Sequence, residues 1–124
     1  MKAMIVDDSG ATRFILSKMM SELGYDVVQA KDGQDAYDKL NENTDCVIAL
    51  VDWNMPVMNG YDLVCKMRSE DQFNDVKIMM VTTETEMTQV VKAIEAGANE
   101  YIMKPFTKEM ILDKMKLLGV PFQE

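Results

Sequence analysis

Asp7 and Asp8, Asp52, Thr82 with Thr83, and Lys104 each stand at the end of a short apolar run: AMIV before the acid pair, CVIALV before Asp52, KIMMVT ending in Thr82, and EYIM before the lysine. Carboxylates, hydroxyls and a lysine are the residue types of hard-metal and phosphoryl chemistry. Oxygen-only ligands suit a hard ion, and Mg²⁺ commonly binds through one or two carboxylates, waters and a phosphate oxygen. A carboxylate beside such an ion can attack phosphorus while the metal and a lysine neutralise the phosphoryl oxygens. Three acids drawn to one spot would raise one another's pKa values unless positive charge sat among them. A divalent cation and Lys104 would supply that charge.

Taken singly, each of these residues has an ordinary reading. An Asp at a strand end is commonly a turn or helix-cap residue, Lys104 before Pro105 could be a solvated lysine, and Thr82 a strand residue. Their joint placement carries the inference, because in an open doubly wound sheet the ligand site lies beyond the carboxyl ends of the strands.

The elements that would place them are legible as alternating periods. Runs at 3–6, 26–30, 46–51, 77–82 and 100–103 read as five strands. Helical spacing appears in Ile15, Leu16, Met19, Met20 and Leu23, in Leu63, Val64 and Met67, in Met87, Val90, Val91 and Ile94, and in Ile111, Met115 and Leu118. A further helix is expected from about Gly33 to Asn41. Ser9, Asp32, Asn59, Thr85 and Thr107 are candidate N-caps, and Gly24 and Gly97 stand where a left-handed C-terminal residue is wanted. Five βα units in series imply an α/β fold, a doubly wound parallel sheet with right-handed crossovers and helices on both faces.

Composition narrows the function further. The length of 124 residues fits a single domain, with 48% apolar and 27% charged residues and no apolar stretch near the ~20 residues a membrane crossing needs. The N-terminus shows no signal-peptide pattern, so a cytoplasmic protein is expected, with no membrane partner. A net charge of −8, from 21 acids and 13 bases, opposes binding to nucleic acid or anionic lipid. Histidine is absent, which excludes a Ser-His-Asp triad, a Cys-His pair and a His-ligated zinc site. Cys46 and Cys65 have no motif spacing and read as small core residues, and most of the thirteen methionines, such as Met19, Met79, Met80 and Met115, as core filling.

Asp7-Asp8, Asp52 followed by Met55-Pro56 and Asn59-Gly60, Thr82, and Lys104-Pro105 together resemble the signature of the receiver domain of two-component response regulators. The DWNMP stretch at 52–56, TTE at 82–84, and Tyr101 with KPF at 104–106 are most similar to the single-domain chemotaxis regulators of that family. The resemblance spans essentially the whole chain. It implies a flavodoxin-like sheet of order 2-1-3-4-5 with five helices, one receiver domain over residues 1–124, no output domain, and a monomer. It makes Asp52 the phosphoacceptor, with Asp8, Asp52 and the backbone carbonyl of Asn54 as Mg²⁺ ligands and Asp7 holding water of the ion's shell. Lys104 would pair with the phosphoryl group, Thr82 would hydrogen-bond to it, and the Lys104-Pro105 peptide is expected to be cis. Asn54 and Glu84 would tune hydrolysis. Thr82 and Tyr101 would form the switch, the threonine drawn inward and the aromatic turning into the vacated space.

With no histidine of its own, the chain must receive its phosphoryl group in trans, and the implied partner is a CheA-like sensor histidine kinase. The signal would then be read from the face of the fourth helix, fifth strand and fifth helix by a flagellar motor switch protein or another target, with a phosphatase as a further partner. A phosphorelay intermediate or phosphate sink, passing the group to a histidine phosphotransfer domain, is the alternative output. An aspartyl-nucleophile phosphatase would need an acid two residues after Asp52, where Asn54 stands. An FMN-binding flavodoxin-like protein would have to place its phosphate directly after Asp7-Asp8, which oppose an anion.

Overall fold

The two alternating periods fold, in a computed structural model describing residues 1–83 and 87–123, into five strands and five helices. In chain order they are β1 (Lys2–Val6), α1 (Gly10–Glu22), β2 (Asp26–Ala30), α2 (Gly33–Glu42), β3 (Cys46–Asp52), α3 (Gly60–Arg68), β4 (Lys77–Thr82), α4 (Met87–Ala96), β5 (Glu100–Met103) and α5 (Lys108–Leu118). A short 3₁₀ turn at Asp71–Phe73 precedes β4. All pairings are parallel and the order is β2-β1-β3-β4-β5, as the resemblance implies. Strand order reverses between β1 and β3, so the crevice lies beyond Val6 and Asp52.

Because helices cover both faces, the central strands are apolar along their whole length rather than alternating. Alternate residues of each strand feed two cores. Met4, Val6, Ala49, Val51, Ile78 and Met80 meet α2, α3 and α4 on one face. Ala3, Ile5, Ile48, Leu50, Met79 and Val81 meet α1 and α5 on the other.

Four of the expected N-caps accept a backbone N–H: Ser9 from Thr12, Asp32 from Asp35, Asn59 from Asp62 and Thr107 from Met110. Thr85 lies outside the described residues. Gly24 and Gly97 take the left-handed conformation, with φ of 94° and 121°. Gly119, at φ 72°, ends α5 in the same way, which was not expected from the sequence. Among the described residues no helix is long and apolar enough to cross a membrane.

Some side chains depart from the expected placement. Cys65 is exposed on α3, since Leu63, Val64 and Met67 occupy the buried side and a residue two positions after Leu63 falls roughly opposite it. On α4 the buried line runs through Val90 and Ala93, which leaves Val91 62% and Ile94 41% exposed. Ile15 likewise faces outward beside Phe14, while Leu16 and Met20 carry the packing of α1. Met79, Met80 and Met115 are fully buried, whereas Met19 is only partly covered.

Arg68 ties the far end of the fold together. Its guanidinium donates to the carbonyls of Gly97 at 2.9 Å, Phe73 at 2.8 Å and Val76 at 2.7 Å, and to Asn99 Oδ1 at 3.0 Å. Asn99 Oδ1 also accepts the Ile78 amide at 2.8 Å. One side chain thus joins the C-terminus of α3, the residue following α4 and the start of β4, using the planar five-donor fork that a lysine lacks.

Candidate functional site

The strand ends bring the acids together. Asp7 leaves β1 with its amide donating to Ala30 O at 3.1 Å, so it stays in the sheet's plane for one more residue. Its Oδ1 accepts the Ser9 amide at 2.8 Å, fixing the turn into α1, and its carbonyl accepts from Arg13 Nη1 at 2.7 Å. Asp52 is the last residue of β3 and only 6% exposed, against 1% for Asp7, while Asp8 is exposed. One carboxylate oxygen from each of Asp7, Asp8 and Asp52 lies within 4.8 Å of the others.

Lys104 supplies positive charge from the opposite side. Its backbone amide donates to the Thr82 carbonyl at 2.6 Å, extending the register beyond β5, and the following Lys104-Pro105 peptide is cis, as the resemblance implies. Its ammonium lies 3.2 Å from Asp52 Oδ1 and 3.4 Å from Asp7 Oδ2. Burial of the ammonium pushes its pKa down, but attraction to Asp52 and Asp7 and the hydrogen bonds to both outweigh this, so the net shift is upward.

Asp7, Asp8, Asp52 and Lys104 are therefore one cluster, as their positions at strand ends suggest. Thr82 is fully buried at the tip of β4, joined to Lys104 through the backbone. Tyr101 is registered against Met80 and Met103 against Thr82, so Tyr101 and Thr82 lie on the same side of adjacent strands. Tyr101 is half-buried, packed on the α2-α3-α4 core, with Lys114 Nζ 4.9 Å from its ring centroid. Asn54 is exposed in the loop after Asp52, and Glu84 lies outside the described residues.

The loop from Trp53 to Asn59 is held at both ends. Gly60 N donates to Trp53 O and Gly33 N to Met58 O, each at 2.9 Å. Between them a γ-turn closes from Met58 N to Pro56 O, placing Val57 at φ 68°, an uncommon conformation for a β-branched residue. Trp53 is half-buried, its ring 5.9 Å from that of Tyr61 on α3. Arg13 was not anticipated from the sequence. Its place one turn into α1 is unremarkable there, and its bond to the Asp7 carbonyl is a property of the folded turn.

The donor set consists only of oxygens, with three carboxylates against one ammonium, and this surplus of negative charge suits a hard divalent cation. A switch-point crevice with buried acids, a lysine and a threonine on neighbouring strands defines a class, and comparison agrees with it. Residues 3–116 match the model of the response regulator receiver domain, and the chain belongs to this family. Among named relatives, it is 44% identical to chemotaxis protein CheY1 of Helicobacter pylori over 119 residues, covering 95% of this chain and 96% of the relative. It is also 44% identical to the chemotaxis protein CheY homologue of Campylobacter jejuni, covering 94% and 90%. Among solved structures, chemotaxis protein CheY4 of Vibrio cholerae superposes with a TM-score of 0.85 at 33% identity, covering 94% of this chain and 96% of that one.

Proposed function

We propose that the chain is a phosphorylation-dependent switch in which Asp52 accepts a phosphoryl group from a sensor histidine kinase. The observation carrying this reading is the pairing of a buried strand-tip carboxylate, Asp52, with Lys104 at 3.2 Å inside a three-acid cluster. An Asp52 carboxylate oxygen forms the new bond to phosphorus as the bond between phosphorus and the donor's histidine nitrogen breaks. Lys104 moves its hydrogen bond from the carboxylate to a phosphoryl oxygen, and Thr82 donates its hydroxyl to another. Water attacking phosphorus later restores the carboxylate and releases inorganic phosphate, at a rate tuned by Asn54 and Glu84.

A Mg²⁺ ion held by Asp8, Asp52 and the Asn54 carbonyl, with Asp7 holding water of its shell, would supply charge neutralisation of the phosphoryl oxygens. The phosphoryl group adds roughly two negative charges at the strand tip, and the response is a shift between existing conformations. Thr82 moves inward and Tyr101 follows on the same side of the sheet.

The output face is formed by α4, β5 and α5, where Tyr101, Met110 and Lys114 border one cavity of about 280 Å³. The two relatives named above as chemotaxis proteins support a chemotactic output, in which this face binds a flagellar motor switch protein. The test uses Trp53, the single tryptophan, whose fluorescence is followed during addition of Mg²⁺ and then acetyl phosphate. The phosphodonor response should vanish in Asp52→Asn, and an unaltered response in that variant would sink the assignment.

A further inference from the structure

Outside the acid cluster, the opposite charge gathers in one place. Arg13 of α1, Gln29 and Ala30 at the end of β2, Lys31 after it, and Asp35 and Lys39 of α2 line a polar cavity of about 310 Å³. That volume is at the small end of the range for ligand pockets. Its three cations face one acid, a local excess of two positive charges on a chain whose net charge is −8.

The acid is already engaged. Asp35 Oδ2 accepts from Lys39 Nζ at 3.2 Å and from the Lys31 amide at 3.1 Å, and Lys39 also donates to Gln29 O at 2.7 Å. Arg13 and Lys31, by contrast, have no ion pair among the described residues. Arg13 spends Nη1 on the Asp7 carbonyl, which anchors the guanidinium of a residue that lines the cavity. A guanidinium fork and an ammonium lining one cavity are the groups that recognise a phosphate dianion.

We propose that this cavity is a second anion site, separate from Asp52, taking a small phosphate dianion or phosphate monoester on Arg13 and Lys31. The charge of such a ligand matches the local excess of two. Since Arg13 also holds the Asp7 carbonyl, occupancy fixes the turn that carries two of the three clustered acids. The lining comes from α1, the end of β2, and α2 and includes none of Asp7, Asp8, Asp52 and Lys104, so the site does not depend on phosphorylation of Asp52.

The test is a titration of the Asp52→Asn protein in metal-free buffer with inorganic phosphate, phenyl phosphate and citrate, read by amide and Arg13 Nε–H NMR shifts. Phosphate and phenyl phosphate are expected to give saturable shifts at Gln29, Lys31 and Arg13. Affinity should fall about tenfold in Arg13→Gln and in Lys31→Gln, as expected for loss of one charge-assisted contact. Lys31 is exposed, so its substitution leaves the fold intact even if that of Arg13 does not. Shifts that stay linear, saturation unchanged in the Lys31 variant, or saturation by citrate alone would each overturn the proposal.

Discussion

Gly60 leaves no room for a side chain against Asp52. A Cβ at position 60 would stand 2.4 Å from the Asp52 carbonyl oxygen and 3.0 Å from Trp53 Cα, and both are backbone atoms that cannot swing aside. The N-terminus of α3 is thereby seated directly on the tip of β3. Gly60→Ala should push the two apart, costing about 1 to 3 kcal/mol of stability, the usual range for overpacking. It should also lower phosphoryl incorporation, because the acid moves with its strand. Urea midpoints and acetyl phosphate labelling would check both, and an unchanged midpoint would contradict the close approach.

The surplus of acid over base at the site predicts a metal-dependent stability. Mg²⁺ at a hundredfold excess over its Kd should add about 2.7 kcal/mol, and EDTA should remove it. For a domain of this size each kcal/mol moves the melting midpoint by about 4 °C. The gain should shrink in Asp52→Asn, which lacks one ligand charge, and thermal melts with and without the ion would show it.

The two thiols should behave oppositely. Burial pushes the Cys46 thiol up from 9.0 to about 11, whereas Cys65 is exposed. A thiol reagent at pH 8 should modify Cys65 rapidly and Cys46 only on unfolding. Because the folded state holds the Cys46 proton more tightly than the unfolded state, its contribution to stability is complete below pH 9. It then fades as pH rises through about 11, a change on the order of 2 kcal/mol. Urea midpoints should fall over that interval, less steeply in Cys46→Ala.

Tyr101 sits away from the acids, with Lys114 over its ring and Lys114 bound in turn to Glu100 at 2.9 Å. Tyr101→Ala should therefore leave labelling of Asp52 intact. Binding of the phosphorylated protein to a motor switch partner should weaken by roughly fivefold or more, as for loss of an interface aromatic worth over 1 kcal/mol. Equal affinity of the phosphorylated variant would count against its role in output.

What could be read in the sequence follows from which interactions are local. The strands at 26–30, 77–82 and 100–103 carry the expected bounds: β4 because a run buried on both faces is apolar, and the partly exposed edge strands β2 and β5 because their apolar residues stand between polar flanks. The caps at Ser9, Asp32, Asn59 and Thr107 were legible because each bonds an amide three residues on. The face of α4 was not, because Ala93 does the packing that Val91 and Ile94 suggested for themselves. Neither were the Arg68 clamp and the Arg13 bond, whose acceptors are carbonyls that only the fold brings near. The acid cluster was legible through sheet topology rather than spacing, since the 44 residues of intervening chain between Asp7 and Asp52 carry no sign of contact.

Among the described residues β5 pairs with β4 alone and forms the margin of the sheet, while β1 and β3 lie in its interior. The clustered negative charge is thus anchored where the sheet is held from two sides, and Lys104, its compensating cation, follows the strand held from one. Opening of a sheet begins at such a margin, where a single ladder must be broken. If β5 peels away it carries the ammonium with it and leaves Asp7 and Asp52 facing each other without their counter-charge. Fraying of this edge and loss of the site's electrostatic balance are therefore one event.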